Sequence, residues 1–169
     1  MRLSILGLYC KSIVFDYHRI VEKRILRNKN NTIIMDKHII DIEGIGPKYA
    51  EKLEAAGIST IGQLLEKGST PAGRTALEKA TDIDGKKILD WIGMADLFRI
   101  NGVGKQFAEL LKVTGVDTVK ELKMRNPENL CEALENTNEA KKLTRAVPSL
   151  PQVEHWIQQA KILEARLTY

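Results

Sequence analysis

The stretch Ile42-Glu43-Gly44-Ile45-Gly46-Pro47-Lys48-Tyr49-Ala50-Glu51-Lys52-Leu53 decides the fold, because the chain writes it twice. The second copy is Ile100-Asn101-Gly102-Val103-Gly104-Lys105-Gln106-Phe107-Ala108-Glu109-Leu110-Leu111, with Gly44, Gly46, Ala50 and Leu53 meeting Gly102, Gly104, Ala108 and Leu111 at one constant offset. Two glycines around one apolar residue permit positive φ and close backbone approach, while Ile45 and Val103 anchor each turn in the core. The backbone then enters a helix at once, and Pro47 suits a first helical position because its missing N–H has no partner there anyway. Ala50 and Ala108 are small where two helices must cross closely. The amides at such a helix start form a site for an anion such as phosphate.

Outward from each turn the two copies stay parallel. Gly57-Ile58-Ser59-Thr60 and Gly115-Val116-Asp117-Thr118 each stop one helix and start the next, with Thr60 and Gln63, or Thr118 and Glu121, spaced as a capping box. The helices begun there are expected to be short, about two turns, with Ile61, Leu64 and Leu65, or Val119 and Leu122, buried. Thr70-Pro71 and Asn126-Pro127 then read as an N-cap followed by a first-turn proline. Ile88, Trp91, Ile92 and Ala95 are answered by Val153, Trp156, Ile157 and Ala160 at helical spacing. Both tryptophans are expected in the core rather than as platforms for stacked bases. The polar run Asn136 to Lys142 predicts an exposed loop or an extra helical turn.

The Trp91 helix runs on through Leu97 and Phe98 into the second Gly-x-Gly turn, so the repeats are fused around a shared core. The expected fold is all-α, two repeats in one compact helical domain, with the Trp156 helix capping the stack. Residues 35–169 form that domain, divided into repeat one at 35–97 and repeat two at 98–169. Residues 1–34 fit neither repeat. They carry seven basic against two acidic side chains, +5 of the chain's net +4, so everything from Met35 onward carries −1. Ile13, Val14, Ile20, Val21 and Ile25 could line one amphipathic helix there, and the segment reads as a basic appendage or an upstream extension from a misassigned start.

Low aromatic content and abundant Ala and Leu agree with helices. Cys10 and Cys131 share no motif with a histidine, and His18, His38 and His155 are scattered, so no metal site is expected and a reduced, cytoplasmic protein is the simplest reading. The apolar runs are too short to span a membrane.

With these residues in hand, the chain resembles the helix-hairpin-helix motif of DNA ligases, excision-repair nucleases, Holliday-junction-binding proteins and base-excision glycosylases. From Ile42 to Leu163 it resembles more closely an uncharacterised family of tandem helix-hairpin-helix proteins, domain of unknown function 4332. The match is carried by the two hairpins, by Gly57-Ile58-Ser59-Thr60-Ile61 and its repeat, by Trp91-Ile92-Gly93-Met94-Ala95-Asp96-Leu97, and by Ser149-Leu150-Pro151-Gln152-Val153-Glu154-His155-Trp156.

The motif resemblance implies sequence-independent binding of duplex or structured DNA, or of RNA, through the phosphate backbone. Gly44, Gly46, Gly102 and Gly104 would give the backbone approach, and Lys48, Lys52, Lys105, Gln106 and Lys112 the polar reach to phosphates. Glu43 and Glu51 flank the first turn, so the second, with Asn101, Lys105 and Gln106, is expected to be the better site. Gly104 should matter most there, a side chain both blocking approach and straining the turn. A glycosylase would need a catalytic aspartate. Asp117 follows Gly104 by 13 residues, where that resemblance implies about twenty, and its repeat partner is Ser59, so it reads as helix-start chemistry. No catalytic machinery and no cofactor are expected. The alternative is a protein-interaction scaffold in which the hairpins only pack helices.

Overall fold

The computed structural model describes residues 37–169. The 1–34 segment with its amphipathic pattern, Met35, Cys10 and His18 all lie outside the described residues. Within them the chain is all-helical. A 3-10 turn, Ile39–Asp41, is followed by α1 (Pro47–Ala55), α2 (Ile61–Gly68), α3 (Pro71–Thr81), α4 (Gly85–Leu97), α5 (Lys105–Val113), α6 (Val119–Leu122), α7 (Pro127–Lys141) and α8 (Leu150–Ile162), and there is no strand among the described residues.

The helix starts follow from side-chain oxygens accepting from backbone amides that have no partner within the helix. Thr60 accepts from Gln63 N while the Gln63 side chain accepts from Thr60 N, a complete capping box. Thr70 caps Gly73 at 3.1 Å, Asp84 caps Lys86 and Lys87 at 3.0 and 3.2 Å, and Asn126 caps Asn129 at 2.8 Å. At α6 the box forms only by half: Thr118 accepts from Glu121 N at 3.2 Å, but the Glu121 carboxylate accepts from Asp117 N at 2.7 Å. That helix is four residues long rather than the expected two turns. The polar run after Leu134 resolves as extra helix, with α7 running to Lys141 and Lys142 left-handed at φ 55°. Asn138, within that run, is buried and exchanges two hydrogen bonds with the backbone of Thr144.

One continuous core joins all of these elements. In the first half α1 packs on α3, and α2 and α3 pack on α4; in the second α5 packs on α7, and α6 and α7 pack on α8. α4 also contacts α5, and every residue from Trp91 to Ile100 is buried. The C-terminal half of α4, buried on every face, belongs in the middle of a structure.

Two buried polar residues lock that centre. Asp96 accepts from Arg99 at 2.6 Å and from Val119 N at 2.9 Å, tying the end of α4 to the start of α6. Arg99 in turn donates to the Glu164 carbonyl at 2.9 Å, beyond α8. The chain does not stop at the expected cap. Residues 163–169 return across the first half, where Leu167 is buried, Thr168 N donates to Ser69 O at 3.0 Å and Arg74 donates to Thr168 O at 2.8 Å. The tail thus ties the segment after α8 to the α2–α3 junction.

Candidate nucleic-acid interface

Each Gly-x-Gly turn is a tight reversal closed by one backbone hydrogen bond, Ile45 N to Ile42 O at 3.2 Å and Val103 N to Ile100 O at 3.0 Å. Gly44 and Gly102 hold φ of +84° and +93°, a region L side chains rarely adopt. A tryptophan indole backs each one. A Cβ on Gly44 would lie 3.2 Å from Trp91 Nε1, and a Cβ on Gly102 would lie 3.1 Å from Trp156 Nε1. Tyr49 and Phe107 complete the aromatic pairs, with centroids 5.1 and 5.2 Å from Trp91 and Trp156. The tryptophans are buried, as the helical spacing implied.

Gly46 and Gly104 are different. They are the N-caps of α1 and α5, with φ of −83° and −99°, and neither has a side-chain cap. A Cβ at either would meet nothing within 4 Å. The expected strain at Gly104 is therefore absent, and the strained glycine of the second turn is Gly102. The amides of Lys48, Lys105 and Gln106 make no hydrogen bond among the described residues.

The cations are distributed less simply. Lys48 is exposed and forms no ion pair among the described residues. Lys52 lies 3.6 Å from the Asp82 carboxylate and donates to the Asp82 carbonyl at 3.0 Å; Lys112 lies 2.8 Å from Asp90. Lys105 lies 3.2 Å from Glu43. The second turn is thus not the less acidic of the two in space: the acid that flanks the first turn in sequence reaches the lysine of the second. Gln106 is exposed.

An open groove of about 400 Å³ runs between the two halves, lined among others by Glu43, Tyr49, Trp91, Asp90, Glu109 and Lys112. On its edge Lys87 donates to the Tyr49 hydroxyl at 2.6 Å, which holds the phenol below its ordinary value. Burial first, and the Glu43 charge second, push the Glu109 carboxyl above its usual range, with Lys105 opposing. Asp117 is also pushed up, by partial desolvation and then by Glu121, and it sits at the start of α6 beside Thr118 and Tyr169.

One supporting residue escaped the sequence reading. Gln159 of α8 accepts from Asn101 N at 2.8 Å and donates to Asn101 O at 3.1 Å, clamping the second turn. Its place three residues after Trp156 is the one signal that could have pointed to it, and Met94 holds the corresponding place after Trp91.

The class defined by this architecture is an all-helical domain built around two glycine turns. A family described as Domain of unknown function (DUF4332) matches residues 43–163, a span that holds both turns and all eight α-helices, and the chain belongs to that family. No curated protein and no solved structure matches. No helix among the described residues is long and apolar enough to cross a membrane.

Proposed function

We propose that the two glycine turns are helix-hairpin-helix motifs in two fused repeats, and that the protein is a non-catalytic module binding the phosphate backbone of nucleic acid without reading sequence. The reading is carried by Gly46 and Gly104. Neither backbone conformation nor packing requires glycine at these two N-caps, where Ser, Thr, Asp or Asn would satisfy the free amides. A bare N-cap keeps amide donors open to an external anion, which such a helix start attracts. The exposed Lys48 adds a cation beside the first of them.

The contacts are few, so the interaction is modest and only shallowly salt-dependent, with a slope reflecting about one to two phosphates. The test is to give the amides a cap of their own. Gly46→Ser and Gly104→Ser should keep or raise the melting temperature, since serine is the better N-cap, while each lowers affinity for duplex, nicked or junction DNA, or RNA. Wild-type protein that binds none of these in a salt-dependent way would refute the proposal. The pairing of Lys52, Lys105 and Lys112 within the chain favours the second reading, a scaffold for a protein partner, and that reading would then stand alone.

A further inference from the structure

We infer that Glu43 is an in-chain competitor for the second turn: its carboxylate occupies the Lys105 ammonium that a phosphate would otherwise take, so the two turns are coupled. This rests on the phosphate-binding reading above. The Glu43 Oε2 to Lys105 Nζ distance is 3.2 Å, and both side chains are nearly half exposed, at 43% and 46%. Such a pair is screened and readily broken, as a displaceable contact must be. Its geometry is nonetheless fixed at one end. Glu43 immediately precedes Gly44, whose positive φ and backing by Trp91 hold the first turn in one shape. The first turn thereby delivers an anion to the entrance of the second.

Lys87 and Asp90 of α4 and Glu109 and Lys112 of α5 line the same groove as Glu43. Glu109 stands close enough to Glu43 for its carboxyl to be raised by that charge, and close enough to Lys105 to be drawn the other way. A phosphate arriving at Gly104 must displace Glu43 from Lys105, and the freed carboxylate then remains beside the first turn. Filling the second turn therefore works against filling the first, and Lys48 leads the interaction until Glu43 is removed. In the native chain the Lys105–Glu43 pair is neutral, so Lys105 adds almost nothing to the salt slope.

The experiment uses the full-length chain and a labelled DNA duplex titrated at several salt concentrations. Glu43→Gln should raise affinity by about three- to ten-fold at low salt and steepen the slope by about one, as for one added phosphate contact. In a Lys105→Gln background the same substitution should gain clearly less, because there is no pair left to break. An equal gain in both backgrounds would show a general field effect and overturn the inference. So would an absent gain in Glu43→Gln alongside salt-sensitive wild-type binding, which leaves the phosphate-binding proposal intact. If neither wild type nor Glu43→Gln binds the duplex in a salt-dependent way, the inference falls, and the phosphate-binding proposal falls with it once nicked and junction DNA and RNA fail as well.

Discussion

The first and second glycine turns reach the same backbone shape with unequal support. The second is preceded by thirteen helical residues in α4, the first by a three-residue 3-10 turn. The second is clamped by Gln159, whereas Met94 stands at the matching place behind the first. Even so, their positive-φ glycines differ by only 9°. What the turns share is a glycine that can take positive φ and a buried Ile45 or Val103 within the turn, and one contact from afar in sequence, a tryptophan packed on the glycine. The turn geometry is thus written within a dozen residues and one indole, and the support that only the second turn has, α4 and Gln159, adds rigidity rather than shape.

The largest effects should come from the indoles. Trp156→Ala and Trp91→Ala should each cost about 3 to 5 kcal/mol in chemical denaturation, as large core aromatics do. Trp156 should be the costlier, since it is 1% exposed against 4% and Trp91 borders the open groove. A Trp91 variant as stable as wild type would mean that the first turn does not depend on its indole, and the comparison would fail at its base.

Next come the glycines, which separate conformation from access. Gly44→Ala and Gly102→Ala should cost about 1 to 3 kcal/mol, from an unfavourable φ and a crowded Cβ. Gly46→Ala and Gly104→Ala should cost less than about 1 kcal/mol, because they remove only a modest N-cap preference. Melting curves of the four variants would settle the ordering. Equal losses within each turn would mean that the N-cap glycines are structural after all, removing the main support for an approaching phosphate.

How much of this was legible in sequence depended on the range of the signal. The turns, Pro47, Thr60 with Gln63, Thr70 and Asn126 were readable because a cap and its partner lie within a few residues. The buried faces of the Trp91 and Trp156 helices were readable from their period. Glu43 was assigned to the wrong neighbour because sequence adjacency placed it at the first turn, while folding brings its carboxylate to Lys105. The Asp96–Arg99 lock and the returning tail were missed for a related reason. A buried charge pair reads in sequence as ordinary surface charge, and Leu167 to Tyr169 carry no helical pattern.

A smaller effect tests the extra support of the second turn. Gln159→Met would give it the residue that the first turn has, deleting both hydrogen bonds to Asn101. The expected loss is about 1 kcal/mol, with faster amide exchange at Asn101 and the fold otherwise intact. A loss several times larger would show that the second turn needs its clamp to hold its shape, and that the likeness of the two turns is not local in origin.

The smallest effect concerns the carboxylate on α5 beside the second turn. Glu109 has its carboxyl raised above the ordinary 4.5, first by burial and then by Glu43, with Lys105 pulling against them. Between that ordinary value and the raised one the folded protein holds a proton that the unfolded chain has released, so the native state loses stability as pH rises through this window. The loss is complete once pH has risen above the raised value and absent once pH falls below the unfolded one. Glu109→Gln removes the ionisable group, so it should raise stability at pH 7 by less than about 1 kcal/mol, the scale of partly exposed charge interactions. The gain should shrink as pH falls toward the ordinary carboxylate range. Glu51→Gln is the comparison, since Glu51 occupies the corresponding place on α1 but is exposed. A pH-independent gain in Glu109→Gln, or an equal gain in Glu51→Gln, would show that desolvation beside the second turn is not what sets these two carboxylates apart.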